Sequence, residues 1–553
     1  MYIKPKSDQI VHLIFTNSIF MVLVAIMSSC AVFGPKPSHL VVSADLKPKK
    51  SELTIEQLSH WQHLDLNQDT VPGMSVDRAY KEILRKKKGK PVVVAVLDSG
   101  IDLNHEDINP ILWTNTTEIP GNKTDDDNNG FVDDIHGYNF LGEAYAEQWE
   151  FTRIVRLGIG DKDYQERARR KFDKEYEEAM QEINTLQGMG LMVKEANSAV
   201  QKKLGKERYS LEELANIPLD NEDLNQKVDL LVQILSFSDN LEELMGFLDE
   251  GSSYYSEQLK YNLNLEFDGR KIVGDDPYDI DDRHYGNGNP QNLLKEESHG
   301  THVAGIIAAE RKNEIGIKGV ANHAQIMSIR AVPDGDEYDK DVALGIRYAV
   351  DNGAKIINAS FGKSFSPNAE WVYEAIKYAE SKDVLIVLAA GNDGLNLDDP
   401  ENQNFPNDHK YQLDQKFVGN VITVGALTPL YGQDMVAPYS NYGSKTVDIF
   451  APGDEILSTM PENEYEFQGG TSMAAPAVTG IAALIRSYYP ELNASQVKKI
   501  IIESGLSPVI KVNVGEDITQ NQALSDICIS GKIANAYNAL ILAKKVQKGK
   551  VRL

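Results

Sequence analysis

"PVVVAVLDSG" (Pro91–Gly100) is the stretch from which the fold can be worked out. Val92–Leu97 is an unbroken apolar run rich in β-branched residues, bounded by Pro91 and by Asp98-Ser99-Gly100. A strand with one face in water alternates polar and apolar residues. A run with no polar positions fits a strand covered on both faces, as in the middle of a parallel sheet. "AKIINAS" (Ala354–Ser360), "VLIVLAA" (Val384–Ala390) and "NVITVGA" (Asn420–Ala426) repeat the pattern. Helical patterns at Val342–Asn352 and Ala369–Lys382 lie between them. Strands alternating with helices predict an α/β domain built on a parallel sheet. Ligands and chemistry gather at the carboxyl ends of such strands, where these runs deliver Asp98, Ser360 and Asn392.

The composition is that of a globular protein, with 42% hydrophobic and 25% charged residues over 553 positions. That length holds one large domain with an elaboration, or two to three smaller ones. A net charge of −26 argues against nucleic acid as a partner, because phosphate binding needs a basic surface. The first thirty residues stand apart. Lys4 and Lys6 precede the apolar run Ile19–Met27, too short to span a bilayer, and "MSSC" ends in Cys30. Residues 1–30 read as a signal peptide, and "MSSC" resembles a bacterial lipoprotein cleavage box in which Cys30 carries the lipid. Residues 31–60 read as a tether. Cys528 is the only other cysteine, so lipidation of Cys30 leaves no internal disulfide. Stability then has to come from elsewhere, and bound metal is the expected source.

Between 142 and 291 the βα rhythm stops. Phe172, Tyr176, Ala179, Met180, Ile183 and Leu186 share one helical face, as do Leu224, Val228, Leu231, Val232 and Leu235. Ser210 with Glu213 forms a capping box. These stripes predict a helical subdomain at 142–291, inserted into a domain formed by 61–141 and 292–546.

Three local stretches carry chemistry: "VAVLDSGIDLNHED" with Asp98, "ESHGTHVAGIIAAE" with His299, and "GGTSMAAPAVTGIAAL" with Ser472. In the last, Ala474, Ala475 and Ala477 favour helix, and Pro476 is harmless within a first turn. Ser472 is therefore expected at a helix start, where free N–H groups favour developing negative charge. A serine hydroxyl needs a base to take its proton and a third group to orient that base. Histidine suits the first role and a buried carboxylate the second.

In all three blocks the chain resembles the subtilisin-like serine peptidases, the subtilases. The resemblance covers roughly 61–546, interrupted by the helical stretch. It implies a seven-stranded parallel sheet flanked by helices, and an exported endopeptidase acting through an acyl-enzyme on Ser472. By resemblance, Asp98 orients, His299 is general base then general acid, and Asn392 of "AAGNDG" donates to the oxyanion. His302 and His105 are expected to be structural. Ser360, Phe361 and Gly362 are expected to pair with the substrate backbone. Ala389, Ala390 and Gly391 wall the first specificity pocket, and Asn404 of "NFP" lies at its base.

Two calcium sites are expected. "DDDNNGFVDD" sets Asp125, Asp127, Asn129, Gly130 and Asp133 at spacings like those of an EF-hand loop, with His136 where the final Glu would stand. The resemblance implies a second at Asp107, with Asn313, Ile315 and Ile317 of "NEIGI". About thirty residues separate Cys30 from "WQHLDL", too few for the folding propeptide of many secreted relatives. The expected partners are a polypeptide substrate, a membrane reached through the lipid, and a protein docking on the insertion. The localisation expected is the cell envelope. The alternatives are a narrow processing enzyme or transpeptidase, and a binding protein on the same scaffold.

Overall fold

The computed structural model describes residues 40, 46–47 and 53–553, except 219–220, 238–239, 411–414 and 516–520. The apolar run at 19–27 and Cys30 lie outside the described residues. Among the described residues, no helix is long and apolar enough to cross a membrane.

Seven strands form one parallel sheet: β1 (Val92–Asp98), β2 (Gly137–Asn139), β3 (Ala324–Arg330), β4 (Ile356–Ala359), β5 (Leu385–Ala389), β6 (Val421–Leu427) and β7 (Ile449–Pro452). Their order is β2-β3-β1-β4-β5-β6-β7. β1 pairs with β3 from Val92↔Ala324 to Asp98↔Arg330, and on its other edge with β4. The alternation along β1 explains its all-apolar sequence. Val94 and Val96 enter one core, and Ala95 and Leu97 the other. The chain crosses β1 between β3 and β4, so the carboxyl ends of β1 and β4 border the point where strand order reverses.

The helices used below are α1 (Glu150–Leu157), α2 (Lys162–Leu204), α3 (Glu222–Phe237), α4 (Leu241–Glu257), α5 (His299–Ala308), α6 (Asp339–Asp351), α7 (Ala369–Ser381), α8 (Thr471–Tyr488), α9 (Ala494–Ser504) and α10 (Ala536–Gln547). α5, α8, α9 and α10 cover one face of the sheet, and α6 and α7 the other. An antiparallel hairpin, β8 (Ile456–Met460) with β9 (Glu464–Gln468), lies beside α5.

The tether expected at 31–60 ends earlier than its sequence suggests. Thr54 and Gln57 form a capping box on a turn of helix at Ile55–Leu58. From Trp61 onward the chain is part of the core, with the Trp61 indole donating to the carbonyls of Asp454 and Glu455.

Helices make up most of the described residues between 150 and 262, and residues 263–291 return to the body. Tyr285 packs beneath α6, Gln291 bridges to Ile101, and Arg270 pairs with Asp275 and Asp341. α2 alone extends about 64 Å at 1.5 Å per residue. Its stripe is split between two small cores. Phe172 and Ala179 join Phe151, Ile154 and Phe365 near the body, while Val193, Ala196 and Val200 meet α3 farther out. Tyr176 and Met180, expected inside, are 41% and 39% exposed, because the buried face runs through Ala168, Phe172, Glu175 and Ala179 and leaves them at its edge.

Candidate active site

Asp98 ends β1 and is buried; His299 opens α5. Gly300 makes this approach possible, since a Cβ there would stand 2.1 Å from the Gly100 carbonyl oxygen. His299 Nδ1 and Asp98 Oδ1 are 2.7 Å apart, and the Ser99 N–H also donates to Asp98 Oδ1. Loss of water lowers the His299 pKa, but the charge and hydrogen bond of Asp98 outweigh it and raise the pKa above the ordinary value. The fixed Nδ1 leaves Nε2 as the nitrogen available to a substrate or nucleophile.

Ser472 is the second residue of α8, and its hydroxyl donates to the Ser360 carbonyl at 3.0 Å. No hydrogen bond joins Ser472 to His299 among the described residues, a common state of catalytic pairs before substrate enters. Pro476 sits in the second turn of α8, beyond the first turn expected from sequence. Lacking an N–H, it leaves the Ser472 carbonyl without its usual partner four residues on. The Ser360 hydroxyl takes that place at 2.8 Å. Behind it, Asn358 Nδ2 donates to Ser360 Oγ, and Thr479 Oγ1 donates to Asn358 Oδ1. Ser360 is 2% exposed. Its side chain supports Ser472 from behind and does not line the cleft described below.

Asn392 Oδ1 accepts from both the N–H and the hydroxyl of Thr471, each at 2.9 Å. The backbone donor fixes which end of the amide is oxygen, and so leaves Nδ2 as a donor beside the Ser472 N–H. A tetrahedral oxyanion formed at Ser472 needs such a pair.

These groups open onto a cleft of about 390 Å³. Phe361, Gly362, Ala389, Gly391 and Asn404 line it, as expected of the substrate-facing residues. Asn404 sits under Gly362, and it and Asn441 donate to the carbonyl of Ala390, which is fully buried and, unlike its neighbours Ala389 and Gly391, does not line the cleft. Both extra histidines are tied into the hairpin. His302 Nε2 is within 3.2 Å of the Ile456 and Glu466 carbonyls, and burial pushes its pKa down to about 3. His105 Nδ1 accepts the Asp107 N–H, and Nε2 meets the Glu464 carbonyl.

The sequence places the insertion between Asp98 and His299, near the rim of this cleft, but does not show which of its residues reach it. Trp149, Phe151, Lys171 and Glu175 line it as well. A buried ionic network anchors α1 there. Arg153 holds Glu150 at 2.7 Å, and Lys363 holds Glu150 at 2.8 Å and Asp339 at 3.0 Å. Lys363 follows Gly362 directly, so a charge one residue from the cleft strand was the only signal available.

Of the acidic loop, Asp125 and Asp127 converge with Glu118, each offering an oxygen within 4.8 Å of the others. Glu118 was not expected, because it precedes the repeat. Asp133 is not one of these three carboxylates, and Asn129 meets Asp125 and Asp127 through its N–H. The Asn129 oxygen accepts from Phe131, Asp133 Oδ2 accepts from Lys123, and His136 is taken up by the Trp113 carbonyl. Three carboxylates so close suit a hard cation with oxygen ligands. At the second expected site, Asp107 does meet Asn313 and Ile317, but as an acceptor. The Asn313 amide, the Ile317 N–H and the Tyr465 hydroxyl all donate to it. Ile315 donates its N–H to Asn313 Oδ1. A Cβ on Gly316 would collide with the Tyr465 ring, so this side chain fills the loop. The arrangement satisfies Asp107 with protein donors.

The model of the subtilase family matches residues 89–526. The chain belongs to the subtilase family. It is 39% identical over 223 residues to the thermophilic serine proteinase of Bacillus sp. strain AK1, covering 40% of this chain and 48% of that protein. It is 38% identical to the cell wall-associated protease of Bacillus subtilis strain 168, over 39% of this chain and 22% of that protein. It is 32% identical to an intracellular serine protease of Paenibacillus polymyxa, over 50% of this chain and 81% of that protein. The chain thus spans about half of the first of these subtilases and about a fifth of the second.

Proposed function

We propose that this subtilase is an exported serine endopeptidase. Ser472 attacks the peptide carbonyl, and His299 takes its proton and returns it to the leaving amine. Asp98 holds the imidazole and stabilises its charged form, while Asn392 Nδ2 and the Ser472 N–H receive the oxyanion. The observation that carries the reading is the 2.7 Å Asp98–His299 hydrogen bond, taken with the cleft that Ser472 and Asn392 line. The substrate is a polypeptide, laid along Phe361–Gly362 with a side chain entering toward Ala389, Gly391 and Asn404. Calcium held by Glu118, Asp125 and Asp127 is the structural ion of this proposal, and Cys30 carries a lipid that tethers the enzyme to the cell envelope.

A fluorophosphonate probe tests the nucleophile. It is expected to label the full chain at Ser472 and to leave Ser472→Ala unlabelled, with peptide cleavage lost in parallel. Labelling without cleavage of any peptide would favour a binding protein on this scaffold. Accumulation of ligated products would favour transfer over hydrolysis. Expression with a labelled fatty acid tests the anchor, and label retained in Cys30→Ser would refute it.

A further inference from the structure

Among the residues lining the cleft is Glu337, one of whose carboxyl oxygens is buried without a partner. Glu337 is 2% exposed, and the unpartnered oxygen is Oε1. Two cations stand beside it, yet neither serves its side chain. Lys363 Nζ and Arg153 Nη2 donate to the Glu337 backbone carbonyl, at 2.6 and 3.2 Å. Their charges face Glu150 and Asp339 instead. Burial raises the Glu337 pKa to about 8, with the charge of Lys363 opposing and those of Asp336 and Asp339 adding. A buried polar group left unpaired is costly, and the cost persists where something else completes the site.

The other charges lining the cleft sharpen the point. Lys171 is paired with Glu175 at 2.8 Å, and Lys363 is already neutralised. Asp336 and Asp393 remain, each engaged by a neutral donor only: the Glu150 N–H and the Asn441 amide. The unbalanced charge of the cleft is therefore negative. Beside it, the insertion supplies Trp149 and Phe151, whose ring centroids are 5.5 Å apart. An aromatic wall next to an unpaired carboxyl suits a long aliphatic stem ending in a cation.

Resting on the protease reading above, we infer that Glu337, with Trp149 and Phe151, forms a subsite for a lysine or arginine side chain of the substrate. The insertion thereby takes part in choosing the peptide.

The test uses the full chain and peptides of fixed sequence. Each position on either side of the scissile bond is in turn Arg, Gln or norleucine. One position is expected to favour Arg over Gln by about 10–100-fold in kcat/KM, the range of a hydrogen bond to a charged group. In Glu337→Gln that ratio should fall to within about threefold, while selectivity at other positions stays. Trp149→Leu, which leaves the buried carboxyl in place, should lower the same ratio by about two- to thirtyfold. Fluorophosphonate labelling of each variant reports that it is folded. Should Glu337→Gln not label, Trp149→Leu decides. A wild-type enzyme that labels and cleaves but shows no Arg preference would overturn the subsite alone. So would an Arg preference that both labelled variants keep. A wild-type chain that neither labels nor cleaves would overturn the protease reading, and the subsite with it.

Discussion

Around Ser472 the polar groups are neutral and sit at strand and helix ends; around Arg153 they are charges that pair with one another as well as with backbone carbonyls. Ser472 sits at a helix start, its carbonyl is taken by Ser360, and Asn392 is oriented by Thr471, all within a few residues of strand ends. The insertion meets the same cleft through Arg153, Glu150, Lys363 and Asp339, drawn from three separate segments and almost wholly buried. The first kind of site is rigid because secondary structure makes it so. The second lasts only while every charge keeps its partner, since a buried ion without one is strongly destabilising.

The largest effect should come from the site at the strand and helix ends. His299→Ala is expected to lower turnover by several orders of magnitude, and its combination with Ser472→Ala to add little, because the groups act as one unit. Asn392→Ala should cost about 10²–10³ in kcat with a smaller change in KM, measured on one short peptide. The acid limb of kcat/KM follows His299. The base works when neutral, so its raised pKa places the limb above the ordinary histidine value. Asp98→Asn, which removes the charge that raises it, should shift the limb to lower pH.

Next in size is the charge-held site. Arg153→Met removes one of two cations on Glu150 and should destabilise the chain by about 3 kcal/mol, read in denaturant unfolding. The carboxylate of Glu150 is buried, yet Arg153 and Lys363 hold its pKa below the usual range. Its contribution is thus present above the unfolded carboxylate value and is lost as pH falls through the lower folded value. The variant should therefore be less sensitive to acid than the wild type. If Arg153→Met unfolds like the wild type, α1 is not held by these charges, and the contrast between the two regions fails.

This contrast also explains what could be read from the chain alone. Asp98, His299 and Ser472 each sit in a contiguous motif whose small residues have a local cause, such as Gly300 against Gly100. The central strands were legible because burial on both faces leaves no polar position. Arg153 and Lys363 were not. A charged residue in a sequence gives no sign of the distant partner that lets it be buried. Glu118 was missed because it lies before the regular spacing of the acidic loop and only the fold brings it to Asp125 and Asp127. The Pro476 register mattered more than expected: its missing N–H is what gives Ser360 its role.

A calcium effect, if Glu118, Asp125 and Asp127 hold the ion, should be smaller than the loss of Arg153. An ion at a hundred times its Kd stabilises by about 2.7 kcal/mol. Thermal melts in calcium and in chelator should differ in the wild type and converge in Glu118→Gln. Equal wild-type melts would remove the ion from the proposal.

The smallest effect belongs to charge pairs that neither burial nor backbone holds. Lys227 and Asp223 on α3 lie 2.8 Å apart, hardly farther than Arg153 and Glu150. Distance alone would rank them together. The Asp223 side chain, however, is 73% exposed, against 2% for Glu150. In water the attraction is screened, and an i,i+4 pair of this kind contributes about 0.3–0.5 kcal/mol. Lys227→Met should therefore leave unfolding within about 0.5 kcal/mol of wild type, and 1 M salt should erase the difference. Arg153→Met should keep its deficit in the same salt, because the buried charges are out of reach of mobile ions. A salt-insensitive loss of several kcal/mol at Lys227 would mean that burial does not govern the strength of these pairs, and that the distinction between the two regions is misdrawn.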